Sequence, residues 1–527
     1  MDRAGERRLA ALAFAIPFLA YLPTLAFGFV WDDIFYYRDN LWIRDWSNLR
    51  PLVSRIEPNA THGVAAVFWR PLRNISYLVD WSIAGGRAWW PHLVNALWHG
   101  AACAGLFALA RRLGLGAAGA LVAALAFGLH PAQAESAAWI KERDGLMAAA
   151  FALWALAAAL GGGARGIAAF LWLFALALLS KENAVVVPAL LAAALWLRPG
   201  GLAPTRGQWA AAAASLLLCL TYLYIRAQVV GATSQQAGWI GGGLAPTLWT
   251  MGAAFLEYLR IALTGTGMKL DYGHWKVAGA GDWAPWAGFA ALAALLAAAH
   301  RLRRAEPLAA LGAAWFLLAL APYANLVPMM QWMAVRFLYF PLAGAAIAAG
   351  WTYERHLVPR TGRHALFAGA ALALLAAGTL AQLPMWRSNF ALWAAEHARN
   401  PDNHTVRVYH ANELLDTGRA GEASAILSTV DLSTAIGKRA TTWLTLARAR
   451  ELSGDDSGAR AAIEDGLARF GPDPGLLAAS GRLHAQAGDL DAAEREWLRA
   501  IAVDPNNLVV RSNLERLAAI RAEQNSP

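Results

Sequence analysis

Residues 9–40, "LAALAFAIPFLAYLPTLAFGFVWDDIFYYRDN", decide the class of fold. The stretch begins with about twenty largely apolar residues, the length that an α-helix needs to cross the hydrocarbon core of a bilayer. It then reaches two adjacent carboxylates, Asp32 and Asp33, where the chain leaves the membrane. A basic start before an apolar run is also typical of a signal peptide, but no small-residue cleavage site precedes "WDD". The stretch therefore predicts an uncleaved first transmembrane helix.

The composition extends this membrane character to most of the chain. Of 527 residues, 58% are hydrophobic and only 15% are charged, whereas about a quarter of a typical soluble protein is charged. The net charge is +9, but the basic residues stand in short clusters between apolar segments, which argues against a nucleic-acid-binding surface. Cys103 and Cys219 both lie within apolar stretches, so they are predicted to be buried side chains rather than a disulfide or a metal site.

Apolar segments long enough to span a membrane recur along the chain and predict about eleven transmembrane helices. They cover residues 9–30, 91–110, 115–131, 145–160, 166–180, 184–198, 208–226, 284–300, 306–322, 337–352 and 364–384.

Arginine clusters in alternate loops predict which side of the membrane each loop faces. These clusters are Arg3, Arg7, Arg8; Arg111, Arg112; Arg165; Arg198, Arg206; Arg301, Arg303, Arg304; and Arg355, Arg360, Arg363. By the positive-inside rule they are cytoplasmic, so the N-terminus is cytoplasmic and the large loop 31–90 is external. The apolar stretch 246–264 then has both flanks outside, which predicts a membrane-surface or re-entrant element. The Trp-rich and Tyr-rich loop 31–90 is expected to lie along the membrane surface with its rings at headgroup depth.

The chain changes character after residue 385 and becomes polar and helical. Three turn glycines, Gly418, Gly454 and Gly488, are 36 and 34 residues apart, and "DPNN" follows at 504–507. This period is typical of tetratricopeptide repeats, whose concave face binds peptides. The sequence thus predicts a transmembrane domain at 1–385 and an extracytoplasmic repeat domain at 386–527. A simple helical cap is the alternative for the second region.

Polar residues that are costly to bury gather on the predicted external side. For the acidic pair Asp32 and Asp33, the plain alternative is that the two carboxylates only mark the end of the first helix. His92, Asn95 and His99 share one helix face. Further polar residues on this side are Arg70, His130, Glu135, Lys141, Arg143, Asp144, Lys181, Glu182, Asn325, Arg336 and Tyr339.

Together these groups predict a site for an anionic, partly apolar substrate. Arg143, Lys181 and Arg336 are suited to binding a phosphate at the interface, arginine in a bidentate manner. A nearby carboxylate is suited to act as general base on an incoming hydroxyl. Cations and carboxylates arranged in this way fit the transfer of a sugar from a lipid phosphate.

The order of these motifs resembles a known family. The acidic pair is followed by "RPL" (70–72), "H..N..WH" (92–99), "HP..AE" (130–135) with "RD.L" downstream, "SKE" (180–182) and "RFLY.P" (336–341). With the C-terminal repeats, they look like the transmembrane and tetratricopeptide repeat-containing proteins. Those are GT-C glycosyltransferases, similar in their membrane part to protein O-mannosyltransferases. The resemblance covers nearly the whole chain.

The resemblance implies an all-α, polytopic GT-C fold with a C-terminal tetratricopeptide α-solenoid. It also implies an inverting enzyme that moves a mannose-like hexose from a polyprenyl-phosphate donor to a hydroxyl of a protein bound near the repeats. Asp32 matches the catalytic base and Asp33 an orienting carboxylate. Basic residues near the lipid phosphate match Arg143 and Arg336, with Lys181 and Arg70 as further candidates. Residues that match the substrate site are His92, Asn95, His130, Glu135, Asp144, Glu182 and Tyr339.

One departure from the family and one agreement with it shape the remaining expectations. The repeat array is short and rich in Ala and Gly, which suggests a bacterial inner-membrane version with a periplasmic repeat domain. The relatives that resemble O-mannosyltransferases generally use no metal, and no D-x-D motif accompanies Asp32. No cofactor is therefore expected to be required, although some GT-C enzymes use a divalent cation.

Other functions stay open at this point. The acceptor could be a lipid or a cell-wall polymer instead of a protein. A non-catalytic scaffold that recruits partners through its repeats has no use for the clustered charges. A transporter would place its charges near mid-membrane and often show repeated halves.

Overall fold

A computed structural model describes residues 3–54, 68–197, 203–230, 238–273, 275 and 277–524. Arg198 of the predicted cytoplasmic loops and residues 55–67 of loop 31–90 lie outside these ranges. The chain divides into two compact units, Met1–Leu392 and Trp393–Pro527. All regular elements within the described residues are helices, and no strand occurs there.

The first unit contains fifteen α-helices and the beginning of a sixteenth. They are α1 Arg3–Ala20, α2 Leu49–Ser54, α3 Pro71–Ala84, α4 Trp89–Arg112, α5 Ala117–Gly128, α6 Gln133–Ala138, α7 Arg143–Gly161, α8 Gly163–Ser180, α9 Val187–Trp196, α10 Arg206–Val230, α11 Leu244–Thr264, α12 Trp283–Leu302, α13 Pro307–Leu320, α14 Pro341–Thr352, α15 His364–Gln382 and α16 Asn389–Arg399.

Seven helical segments of the described chain are long and apolar enough to cross a membrane. They are Ala4–Ala26, Trp89–Arg112, Ile140–Gly161, Gly163–Ser180, Arg206–Val230, Trp283–Leu302 and His364–Arg387. Each overlaps a segment predicted from the sequence, so the protein is a multi-pass membrane protein. Three shorter apolar helices occupy Ala117–Gly128, Glu182–Trp196 and Pro307–Tyr323. The total of eleven spans stays a prediction, as does the surface or re-entrant placement of 246–264, which lies within α11.

Close helix packing explains why the spans are rich in alanine and glycine. A Cβ atom on Gly312 of α13 would lie 2.7 Å from the carbonyl oxygen of Gly344 in α14, and one on Gly344 would lie 2.6 Å from that of Gly312. Both distances are shorter than atomic contact permits, so only glycine allows this approach. Small residues at helix contacts are typical of membrane bundles, where lipid offers no hydrophobic force to drive association.

The described parts of loop 31–90 pack against the rest of the first unit. Tyr37, Ile43, Tyr77 and Leu78 are fully buried and pack around Ile140. The sequence placed the tyrosines of this loop at headgroup depth. Tyr37 and Tyr77 are instead buried in the protein, because the loop wraps onto the segment before α7. That segment is itself enclosed, since every residue from 127 to 144 is buried.

The second unit consists of helices, most of which are joined by short turns. Beyond α16 they are α17 His404–Asp416, α18 Ala420–Leu427, α19 Ala440–Leu452, α20 Asp456–Phe470, α21 Pro474–Gln486, α22 Leu490–Val503 and α23 Leu508–Gln524.

Successive helices of this unit pack as pairs, namely α17 with α18, α19 with α20 and α21 with α22. The turn glycines predicted from the repeat, Gly418, Gly454 and Gly488, have φ angles of 77°, 82° and 83°. Glycine adopts this left-handed region without the steric cost of a Cβ. The repeat therefore marks the turns correctly, while the assignment of a tetratricopeptide solenoid stays a prediction.

Candidate functional site

The two adjacent carboxylates that end the first apolar run have different environments. The Asp33 side chain is fully buried and accepts hydrogen bonds from the backbone N–H groups of Lys141, at 2.8 Å, and Val30, at 3.2 Å. Asp32 is partly exposed, and among the described residues no group donates a hydrogen bond to its carboxylate. Asp33 therefore fixes the loop to the segment before α7, whereas the carboxylate of Asp32 is available to a ligand.

The surroundings of the pair also change its proton affinity. Burial raises the pKa of Asp33 to about 8, although its two backbone donors favour the charged form. Burial also raises the pKa of Asp32, opposed by the positive charges of Lys141 and Arg336. A carboxylate with a raised pKa is a stronger base than an ordinary aspartate, which suits proton abstraction from a hydroxyl.

Glu142 is the centre of a buried ion network beside Asp32. Its carboxylate lies 2.6 Å from the Lys181 ammonium, 3.1 Å from that of Lys141 and 3.4 Å from Nε of Arg336. The Glu142 side chain is 2% exposed. Three cations on one enclosed carboxylate offset much of its desolvation cost, and the carboxylate in turn keeps the cations charged. The Lys181 pKa is raised, since Asp144 and Glu142 outweigh the effect of burial.

The network continues from Lys181 to Asp144, Arg70 and Glu182. Lys181 lies 3.1 Å from Oδ1 of Asp144, and Arg70 bonds to the other oxygen of Asp144. Arg70 also donates to both oxygens of Glu182, at 2.9 and 3.3 Å. Arg70 therefore joins α3 to α7 and to the end of α8 through two carboxylates.

Arg336 connects the network to the late "RFLY.P" motif. Its Nη1 donates to Oε1 of Glu135 at 2.6 Å, and its backbone N–H donates to Oε2 of the same residue at 3.2 Å. Its guanidinium also bonds to Gln331 and lies 5.4 Å from the centre of the Trp139 ring. Arg336 is 9% exposed, and its charge acts on the Asp32 carboxyl.

Arg143 lies in a second buried group. Its Nε donates to Asn95 at 2.9 Å, its Nη2 donates to the Pro91 carbonyl at 2.9 Å, and its Nη1 bonds to Ser76 and Asp80. The side chain is fully buried, and each guanidinium nitrogen has a protein acceptor. This arrangement ties α7 to α3 and α4, and it leaves Arg143 poorly placed to receive a phosphate.

The predicted histidines bond to separate backbone segments. Nε2 of His92 lies 3.2 Å from the carbonyl of Gly28, and Nε2 of His130 lies 3.1 Å from that of Ala262. Nδ1 of His99 lies 2.8 Å from the hydroxyl of Tyr339. These contacts hold helices and loops together, and none of them involves the Glu142 network.

The structure thus groups Asp32, Glu135, Lys181 and Arg336 with the acidic and basic residues Arg70, Asp144 and Glu182. Sequence reasoning did not single out Glu142. The signal was present in "KERD" (141–144), where four consecutive charged residues stand within apolar sequence. In the structure these four residues form a buried turn, and their side chains have different partners. Arg73 and Asp80 were also missed, because a charged residue in a loop at the membrane surface has an ordinary solvent-exposed explanation. No group of three or more His, Cys, Asp or Glu residues within the described ranges could hold a metal ion.

Comparison with known proteins identifies two relatives. No family model matches the chain. It is 33% identical over 154 residues to the protein O-mannosyl-transferase Tmtc1 of Drosophila melanogaster, covering 28% of this chain and 17% of the relative. It is 34% identical over 145 residues to Tmtc2 of the same organism, covering 25% of this chain and 15% of the relative. The chain therefore matches less than a fifth of the length of either relative. Over these stretches, the resemblance predicted from the motifs is confirmed.

Two solved structures are also similar. ArnT from Cupriavidus metallidurans bound to undecaprenyl phosphate gives a TM-score of 0.41 at 16% identity, over 88% of this chain and 81% of that chain. The Archaeoglobus fulgidus oligosaccharyltransferase in the apo form gives a TM-score of 0.38 at 14% identity, over 78% of this chain and 58% of that chain.

Proposed function

We propose that this protein is a GT-C-type membrane glycosyltransferase that moves a sugar from a polyprenyl-phosphate donor to a hydroxyl of an extracytoplasmic protein. The two curated relatives are named as O-mannosyl-transferases, which supports a hexose as the transferred group. The reaction proposed here needs no metal ion. The protein would lie in a bacterial inner membrane with the site on the periplasmic side.

One observation carries the proposal. The Asp32 carboxylate is free of hydrogen bonds from the described residues and faces the charges of Lys141 and Arg336, whereas its neighbour Asp33 is committed to backbone donors. A free carboxylate beside cations is the arrangement that inverting transfer requires. The carboxylate accepts the proton of the acceptor hydroxyl, and the cations stabilise the leaving phosphate. A protein that only recruits partners has no need for it.

The proposed steps use this geometry directly. The acceptor oxygen attacks the anomeric carbon of the sugar while its proton passes to Asp32. The bond between the anomeric carbon and the phosphate oxygen breaks, and the phosphate leaves with the bonding electron pair. Arg336 and Lys181 would stabilise the negative charge of the phosphate, with Arg70 behind them. Arg143 is fully buried and bonds within the separate group of Asn95, Pro91 and Asp80, so we assign it a positioning role.

The second unit would present the acceptor. Its paired helices and repeated turns are consistent with a groove for an extended peptide, which is the usual ligand of tetratricopeptide repeats. A protein acceptor also explains why one chain would combine a membrane enzyme with a soluble repeat domain.

The test is a comparison of periplasmic glycoproteins by intact-mass and glycopeptide mass spectrometry. Cells would carry the full chain, no copy of the gene, or a chain truncated after residue 390. We expect one hexose mass to appear on specific Ser or Thr residues with the full chain only, and to fall or lose its site preference with the truncation.

The outcomes separate the possible acceptors. An identical set of glycoproteins in all three strains would reject protein glycosylation. A sugar found on a lipid or on a cell-wall polymer would keep the glycosyltransferase and replace the acceptor. Loss of partner proteins from the membrane with no change in any sugar would support a scaffold instead.

A further inference from the structure

The carboxylate of Glu182 lies at an open edge of the ion network. Its side chain is 32% exposed, while that of Asp144, which shares Arg70 with it, is fully buried. Arg70 bonds to Glu182 from one side only, through Nε and Nη2. A ligand can therefore reach Glu182, whereas it cannot reach Asp144 without displacing protein groups.

Helix α10 presents a polar face toward this carboxylate. Tyr222 and Arg226 are four residues apart, so they lie on one side of the helix. Cys219 on the same face donates to the carbonyl of Val185 at 3.6 Å, which orients this face toward the segment after Glu182. The leucines of the opposite face, Leu217 and Leu220, are exposed. An arginine that only anchored α10 in the lipid headgroups would be expected on that opposite face.

Three buried polar atoms near Glu182 have no hydrogen-bond partner within the described residues. They are Oδ1 of Asn183, the hydroxyl of Tyr222 and Nε of Arg226. The charges of Glu182 and Arg226 both act on the Tyr222 hydroxyl, which places the three groups together. The Tyr222 ring stacks on Trp69 with 5.8 Å between ring centres. Because buried polar atoms are almost always paired in proteins, such a cluster marks a place for a polar ligand.

We propose that Asn183, Tyr222 and Arg226, together with Glu182, form a subsite that binds hydroxyl groups of the transferred sugar. This inference rests on the proposed function and names the residues that would recognise the transferred sugar. Asn183 Oδ1 and Glu182 accept hydrogen bonds, Arg226 donates, and the Tyr222 hydroxyl does either. A sugar hydroxyl both donates and accepts, so it satisfies this mixture. A phosphate only accepts, and the Glu182 carboxylate would repel it.

The test measures binding of the full chain in nanodiscs to three probes: polyprenyl phosphate, polyprenyl phosphomannose and polyprenyl phosphoglucose. The wild type should bind one sugar-bearing lipid more tightly than bare polyprenyl phosphate. Tyr222→Phe and Arg226→Leu should each weaken binding of that sugar-bearing lipid about 5- to 50-fold, the range expected when buried hydrogen bonds are lost. The affinity for bare polyprenyl phosphate should differ by less than about 2-fold between each variant and the wild type.

Tyr224→Phe is the matched control, because Tyr224 lies two residues away on the exposed side of α10, and it should leave both affinities unchanged. Equal losses for the bare and the sugar-bearing lipids would overturn the subsite and assign these residues to the phosphate. No loss in either variant would also overturn it and leave Arg226 as a membrane anchor. Failure of the wild type to bind any of the three lipids would reject the proposed donor itself, and the subsite with it.

Discussion

Replacing Asp32 with Asn should lower the rate of sugar transfer by at least about 100-fold, the usual loss when a general base is removed. The amide keeps the shape of the side chain but cannot accept the proton of the acceptor hydroxyl. Since no described residue donates a hydrogen bond to the Asp32 carboxylate, the substitution breaks no side-chain hydrogen bond and should leave folding intact. The measurement is single-turnover transfer from labelled polyprenyl phosphosugar to a peptide acceptor by the purified chain in vesicles.

Asp39→Asn provides the matched control, since Asp39 is an exposed carboxylate of the same loop that pairs with Arg38 at the surface. It should transfer at the wild-type rate. Asp32→Asn with unchanged transfer would show that the base lies elsewhere.

The pH profile of the wild type offers a second check on the same residue. Transfer requires the deprotonated carboxylate, so the rate should rise with pH through the Asp32 pKa. Burial raises that pKa, and the acid limb should therefore lie above the ordinary aspartate range near about 4. Any residual activity of Asp32→Asn should lack this limb. The same acid limb in both proteins would assign it to another group.

Replacing Glu142 with Gln should destabilise the folded protein by about 3–5 kcal/mol, the cost of leaving buried charges without their partner. The glutamine side chain has a similar volume, so the effect comes from charge rather than from a cavity. Lys141, Lys181 and Arg336 would lose the carboxylate they share. The free energy of unfolding would be measured in mixed micelles by denaturant titration, followed by tryptophan fluorescence.

Glu6→Gln is the control for this experiment, because Glu6 pairs with Arg111 at 2.8 Å with both side chains about a third exposed or more. An exposed pair of this kind contributes about 0–1 kcal/mol. The double variant Glu142→Gln, Lys181→Met should be less destabilised than the sum of the single changes, since it removes one of the stranded cations. An effect of Glu142→Gln no larger than that of the control would show that Glu142 does not hold the network together.

The sequence by itself determined the membrane character and the broad plan of the chain. Segment length and hydropathy are local properties, so each of the seven long apolar helices overlaps a predicted segment. The turn glycines follow from the same kind of local signal, because a left-handed turn requires glycine wherever it occurs. Most of the polar residues named on the predicted external side are buried in the structure, and a charged residue within apolar sequence is rare enough to be noticed.

Only the tertiary structure decided which partner each charge has. Asp32 and Asp33 are equivalent in sequence, yet Asp33 bonds to Lys141, 108 residues away, and Asp32 stays available. Arg336 meets Glu135 across 201 residues. Such pairings depend on how distant segments pack. The sequence around a charged residue contains no periodic pattern that identifies its partner. A pattern therefore shows that a charge must be compensated, whereas the packing of the helices determines which group compensates it and which carboxylate remains for the substrate.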